Sequence, residues 1–337
     1  MRADVLRIAI VGCGRMGLQH AKSASQLGHR VVVACDVDLA RAAALAGSHP
    51  GCEAIADAAS IRWGEIDAGF VCTPPFARGP VELLAARAGV PLFLEKPIGL
   101  SATQCLSALT EFRNAGTITS VGYMNRYRAS VQRVRDLLPR ERVLGFAAHW
   151  VCAAYRVPWW GDPSLSGGQL NEQCTHMIDL ARYLAGEIAE VNAFAQPSPE
   201  GRGGPAAVSM VLRFQGGALG TIICGCLANE KQIGCRIFTT RGQLVLDGWD
   251  FRWTPSPTFG DGSDLDGGAD VFLAECKAFL DAIRSGDTSA IRCDLAEAMR
   301  TQQVVDAVRR ALNVTGNPLP TAARTAAGEG GDAVEYI

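Results

Sequence analysis

The sequence has no long hydrophobic run, no block of like charge and no C-x-x-C pair. Its apolar runs are strand-sized, which excludes a membrane-spanning helix. No run of five like charges occurs and the formal net charge is −2, so neither nucleic acid nor an anionic membrane is the expected main partner. The apolar stretch near the N-terminus is short, is interrupted by Arg7 and runs into a glycine turn, so it reads as a first strand rather than a signal peptide. The twelve cysteines have no spacing suited to zinc. They read as small buried hydrophobes of a reducing, cytoplasmic compartment. No internal repeat is found. Histidine is scarce too, with five residues at positions 20, 29, 49, 149 and 176.

What is present is an ordinary globular composition, 48% hydrophobic and 20% charged, in 337 residues, a length that favours two domains. Up to about residue 123, continuous apolar strands alternate with amphipathic helices. Helices are expected over Arg15 to Leu27, Val37 to Ala46, Pro75 to Ala88 and, capped by Ser101, up to Ala115. This predicts an α/β Rossmann domain, a doubly wound parallel sheet covered on both faces, over residues 1–123. The pattern then changes. Residues 124–337 carry a helix from about Tyr127, a long strand and a Pro/Trp/Gly-rich loop. A helix from about Gln169 to Leu184 follows. Successive strands from Glu187 to about Asp247 are joined by glycine turns, and two helices come after them. Such direct turns imply antiparallel pairing. The second domain is therefore expected to be α+β with an open, mainly antiparallel sheet, and the polar tail a loose strap.

The segment "GCGRMG" carries the cofactor signal. Gly12, Gly14 and Gly17, with Arg15 and Met16 between them, match G-x-G-x-x-G after a strand and before a helix. Gly12 permits the tight turn, Gly14 the approach of a pyrophosphate, and Gly17 close helix packing, with the phosphates at the helix N-terminus. Asp36 ends the second strand, where a carboxylate meets the adenine ribose diol. With Val37 and Asp38 after it, NAD is favoured over NADP unless Arg41 folds back. Thr73 and Pro74 in "CTPP" end another strand. Thr73 would bond a ribose or phosphate, or cap the next helix.

"EKP" places Glu95 and Lys96 at a further strand end, before a proline whose peptide bond is the one inexpensive place for a cis isomer. Lys96 would contact a ribose hydroxyl and the substrate oxygen, and Glu95 would position Lys96 or a ribose; the alternative is a surface ion pair. Glu172 and His176 lie four apart on one helix face, with Asp179 near the same stripe. Histidine titrates near neutrality, as a base for alcohol oxidation should. The alternatives are a core histidine networked with Asp179, or a metal pair lacking an evident third ligand, so no metal is expected. Tyr155, Trp159 and Trp160 would wall a sugar pocket or simply pack.

Together, "GCGRMG", "EKP", "VGYMNRY" at 121–127 and the "GG…H" helix at 167–176 resemble the Gfo/Idh/MocA oxidoreductases over nearly the whole chain. The resemblance implies NAD(P)-linked oxidation or reduction of a sugar, cyclitol or derivative. It also implies a sheet domain used for assembly, as a homodimer or homotetramer. It maps the family's lysine to Lys96, its helical histidine to His176 and its helical aspartate to Glu172, a departure by one methylene. Arg78 stands where the family usually has histidine. Asn125, taken as a substrate contact, stands where many members have arginine. A nucleotide-sugar or amino-sugar dehydrogenase, or a sensor that binds the cofactor without turnover, are the alternative functions.

Overall fold

The computed structural model describes residues 5–198, 204–260 and 270–313; the expected tail strap lies outside them. β1 (Arg7–Val11), β2 (Arg30–Cys35), β3 (Glu53–Ile55), β4 (Ala68–Val71), β5 (Leu92–Leu94) and β6 (Thr119–Val121) form one parallel sheet in the order β3-β2-β1-β4-β5-β6. β4 and β5 are buried throughout and β1 at all but its first residue, as strands covered on both faces must be. α1 (Arg15–Gln26), α2 (Leu39–Ala46), α3 (Pro80–Arg87) and α4 (Ala102–Ala115) belong to this half. α2 starts later than expected because Asp38 caps it, accepting from the Ala40 amide. Ser101 caps α4 as expected. The helix expected from Pro75 begins as a 3₁₀ turn, Pro75–Ala77, and α3 starts afresh at Pro80, whose ring cannot continue a helix. Strand order reverses between β1 and β4, which opens a crevice at their C-terminal ends.

The second half contains α5 (Ala129–Leu137), β7 (Val143–Ala153), α6 (Pro163–Ser166) and α7 (Thr175–Ala185). Then come β8 (Ile188–Gln196), β9 (Ala207–Phe214), β10 (Leu219–Gly225), β11 (Leu227–Thr239), β12 (Gly242–Asp247) and β13 (Arg252–Trp253). α8 (Val271–Ser285) and α9 (Leu295–Leu312) follow. The seven-stranded sheet has the order β13-β12-β11-β7-β10-β9-β8. Its pairings are antiparallel except β7 with β10. The exception arises because β7 comes from a distant segment and inserts between β10 and β11, which are neighbours in sequence. Inward residues such as Phe146, Trp150, Met210 and Ile222 pack on α5, α7 and α9. The opposite face leaves Phe194, Val211, Leu219, Ile223 and Phe238 exposed.

The two cores interlock. From α8, Cys276, Phe279, Leu280 and Ile283 pack on Ile8, Ile10, Phe70 and Phe93 of the parallel sheet. α9 begins in one core, through Leu295, Ala298 and Met299, and ends in the other, through Val304, Val305 and Val308. A division at 123/124 therefore separates the two sheets but not the two cores.

Two buried charge clusters fix these junctions. Arg126 Nε and Nη2 donate to Asp179 at 2.8 and 2.7 Å, and Thr301 Oγ1 adds a bond to Asp179 at 3.1 Å. Asp179 is thus committed to Arg126 and does not network with His176 as the sequence allowed. In the second cluster α8 brings Glu275, wholly buried, beside His20 and Glu95. Ligand atoms of the three lie within 4.8 Å of one another, close enough for a cation. Neither Glu275 oxygen has a hydrogen-bond partner among the described residues. Burial, then the nearby Glu95 charge, push the Glu275 carboxyl far above its ordinary range. Burial thus favours the protonated form of Glu275 beside the Glu95 carboxylate.

Two predictions follow from these clusters. Asp179→Leu strands the buried Arg126 charge and is expected to lower unfolding free energy by about 3–5 kcal/mol, with the Asp179→Leu/Arg126→Met pair losing less. Urea midpoints at matched m-values check this. The raised Glu275 value means that the folded chain holds this proton more tightly than the unfolded one. Its contribution is whole below the ordinary glutamate value and is lost as pH rises through the folded value. Melting temperature across that window should fall less steeply for Glu275→Gln than for the parent protein.

Candidate active site

The glycine turn is shaped by contacts that admit no side chain. Gly12 has φ +91°, and a Cβ there would sit 2.7 Å from the Cys72 carbonyl carbon. A Cβ on Gly17 would lie 2.0 Å from the Gly12 oxygen, so α1 rests directly on the turn. Gly14 is the N-cap of α1 and offers no side-chain cap, which leaves the first amides of the helix open to a ligand. Asp36 Oδ2 accepts from the Cys13 amide at 2.8 Å and Oδ1 from the Asp38 amide at 2.9 Å, which fixes the carboxylate at the end of β2. Arg41 does not fold back over Asp36; its Nε lies 3.2 Å from Asp38 Oδ2.

A cleft of about 640 Å³ runs from this turn to the second domain. Gly12, Gly14, Arg15, Met16, Asp36, Thr73 and Pro74 line one end. Lys96, Glu172, His176, Tyr155 and Trp159 line the other. Thr73 Oγ1 is buried without a partner among the described residues. An open helix N-terminus, an orphaned hydroxyl beside it and a fixed carboxylate at the end of the second strand suit a dinucleotide's phosphates and ribose. These residues fit NAD.

Lys96 lies two residues beyond β5, and its peptide bond to Pro97 is cis. Its Nζ donates to the Glu172 carbonyl at 2.9 Å and stands 3.7 Å from Glu172 Oε2. The expected helix is irregular at this point. Leu170–Cys174 is a π turn, and α7 starts only at Thr175. A π turn disturbs the i→i−4 ladder, and here a side chain from the other domain meets a main-chain acceptor. Burial raises the Glu172 carboxyl above its ordinary value, against the opposing pull of Lys96.

His176 is stacked on Trp150 at 5.1 Å between ring centroids and meets Tyr123 edge-on at 6.2 Å. Its Nδ1 is buried without a partner among the described residues. Burial, then the charges of Lys96 and Arg128, hold its pKa well below the ordinary histidine value. A neutral imidazole near an ammonium can take a proton from a hydroxyl whose oxygen the ammonium holds.

Glu95 lines the cleft but turns its carboxylate to His20, with Oε1 2.7 Å from Nε2. Burial opposes its charge, but the His20 hydrogen bond and the charges of His20, Lys96 and Arg78 outweigh that and hold its pKa low. Arg78 is buried and donates to the Val71 and Glu95 carbonyls, both at 2.8 Å. It fastens the ends of β4 and β5 together. Two expected substrate contacts are corrected. Asn125 is buried away from the cleft, its Oδ1 accepting from Arg128 Nε at 2.9 Å. Trp160 is buried behind Tyr155 at 6.1 Å rather than on the wall. Trp150, Lys231, Trp249 and Phe272 also line the cleft. Each comes from a remote segment with no motif around it; the alternating burial of β7 is the signal that would have marked Trp150 as inward.

Family models match the two halves separately. Residues 6–123 match the model described as an oxidoreductase family with an NAD-binding Rossmann fold, and residues 142–245 match the GFO/IDH/MocA C-terminal domain. The inositol 2-dehydrogenase of Arthrobacter sp. (strain FB24) is 30% identical over 188 residues, 55% of each chain; the match spans about half the length of that relative. The myo-inositol 2-dehydrogenase of Thermotoga maritima is 25% identical over 311 residues, 85% of this chain and 90% of that one. Among solved structures, the UDP-N-acetylglucosamine 3-dehydrogenase of Acidithiobacillus ferrooxidans superposes with a TM-score of 0.81 at 20% identity, covering 92% of this chain and 98% of that one. With its glycine turn, its Glu-Lys-Pro strand end and its paired sheets in place, the chain belongs to the GFO/IDH/MocA family of oxidoreductases.

Proposed function

We propose that the protein is an NAD-dependent dehydrogenase acting reversibly on a secondary alcohol of a sugar, a cyclitol or a derivative of one. The observation that carries this is the convergence of Lys96, from the parallel sheet, and His176, from the second domain, on one cleft with the glycine turn. The names of the relatives, inositol 2-dehydrogenases and a UDP-N-acetylglucosamine dehydrogenase, support the substrate class.

NAD, when bound, supplies the hydride acceptor. The chain's own residues do the rest. His176 is kept neutral by burial and takes the hydroxyl proton. Lys96 Nζ, held by the Glu172 carbonyl, stabilises the oxygen as negative charge grows on it. Glu172 keeps Lys96 in place and offers its carboxyl to a neighbouring hydroxyl. Thr73, Asp36 and the amides at the start of α1 hold the dinucleotide. Trp159 and Tyr155 cover the substrate from the loop side.

The exposed apolar side chains of the seven-stranded sheet point to a second copy of this chain as its cover, giving a homodimer or homotetramer. Among the described residues no helix is long and apolar enough to cross a membrane. The twelve cysteines are free, which supports a cytoplasmic setting.

Lys96→Ala and His176→Ala should each lower kcat/KM for a turned-over polyol by about 10²–10⁴-fold while NADH binding, followed by fluorescence, is kept. The acid limb of the parent pH profile should lie below the ordinary histidine range. Variants within about tenfold of the parent, a loss under ~1.4 kcal/mol of barrier, would remove both roles. Light scattering should give the mass of a dimer or tetramer, and Phe194→Glu with Leu219→Glu should lower it; a monomeric parent ends the assembly proposal.

A further inference from the structure

The far wall of the cleft carries more positive charge than a neutral polyol needs. Arg156 and Lys231 line it together with Lys96. Lys231 Nζ lies 4.4 Å over the ring of Trp249. Trp249 meets Trp150 edge-on at 5.9 Å, and Trp150 is stacked on His176. One aromatic wall therefore runs from the imidazole to the ammonium.

The backbone at Lys231 is built irregularly. Leu227 pairs with Ala153 and Gln232 with Val151, so β11 advances five residues where β7 advances two. Irregularities of this kind redirect side chains at the edges of sites. Among the described residues neither Lys231 nor Arg156 has an ion-pair partner. The carboxylates nearby are engaged elsewhere. Asp250 faces Arg128 at 3.4 Å, Glu95 faces His20, and both Asp36 oxygens take amides. Among the described residues Glu95 and Glu172 are the carboxyls that line the cleft beside Lys96, and Glu95 is taken by His20.

A hydroxyl both donates and accepts, so a neutral polyol is held by donors and acceptors together and leaves no charge to balance. This wall offers chiefly cationic donors. An unpaired ammonium over an indole face, in a cleft with low-dielectric walls, is suited to an anion.

We propose that the substrate carries an anionic group, a carboxylate or a phosphate, set apart from the carbon that is oxidised, and that Lys231 and Arg156 recognise it. This rests on the dehydrogenase reading for what happens at the other end of the molecule. A uronic acid presents such a group on the sugar itself, and a nucleotide-linked sugar presents it through its pyrophosphate.

Binding to the NADH-loaded protein at fixed ionic strength separates this inference from turnover. Calorimetry would compare D-glucose with D-glucuronate, D-galactose with D-galacturonate, and each neutral sugar with UDP-glucose. At least one anionic member should bind ten or more times more tightly than its neutral counterpart. Lys231→Gln should remove most of that advantage, and Lys231→Arg should keep it. A response confined to the uronates assigns the carboxylate; one confined to UDP-glucose assigns the phosphate. If no anion is preferred, or if Lys231→Gln weakens neutral and anionic sugars alike, the inference is overturned, whatever the turnover. If the preference is present and lost in Lys231→Gln, but no sugar in the panel reduces NAD, anion recognition stands and the dehydrogenase reading is what fails.

Discussion

A side-chain bond from Lys96 joins the two halves of the site. Lys96 Nζ, just beyond β5, donates to the Glu172 carbonyl in the turn before α7. Beside it Asn171 Nδ2 donates to the Gly99 carbonyl at 3.1 Å, and Gln302 of α9 donates to Asn171 Oδ1 at 3.0 Å. The strand end, the wide turn and α9 are thereby joined at one seam. The separation of His176 from the glycine turn follows from where that seam lies. A displacement of a single ångström at such a point changes the geometry of reaction, so three buried or half-buried bonds at one place make physical sense.

Exclusion of water from this region has two effects with one cause. It holds the His176 imidazole neutral, with Lys96 and Arg128 adding to the effect. It also pushes the carboxyl of Glu275, which α8 packs near Glu95, far above its ordinary range. In low dielectric each nearby charge counts for more than it would in water. Glu95 is the pivot between the two layers. It stays ionised because His20 hydrogen-bonds it, and Lys96 and Arg78 add their charges. The family position at which Arg78 replaces histidine has thus become a fastening of β4 to β5 rather than a group facing substrate.

The sequence made the local parts of this site legible. The glycine turn, Asp36, Thr73 and Lys96 each sit at the end of an apolar strand, and a strand end is marked by its neighbours in the chain. Glu172 and His176 were readable as a pair for the same reason, through a spacing of four. The wide turn between them was not readable, because a π turn leaves the order of apolar and polar residues unchanged. Asp179 has the spacing to serve His176 but is taken by Arg126, fifty-three positions away, and no periodicity encodes that choice. Trp150, Lys231, Trp249 and Phe272 were missed as site residues for a related reason. Each becomes part of the site through packing of elements distant in sequence, and α8 in particular returns to a core that the strand–helix pattern had already closed.

The replacement of the family's aspartate by Glu172 can be weighed on these contacts. Lys96 is held by the carbonyl of residue 172, and a main-chain acceptor does not depend on the side chain attached to it. The anchor of the ammonium therefore tolerates the exchange. The extra methylene acts on the carboxyl, which reaches back to within 3.7 Å of the same ammonium while its other oxygen, Oε1, is left buried and, among the described residues, unpartnered. An unpartnered buried oxygen is costly unless something meets it. Under the proposed dehydrogenase reading, a substrate hydroxyl is the group that would do so. The substitution then leaves the position of Lys96 unchanged and would alter which neighbouring hydroxyl is gripped.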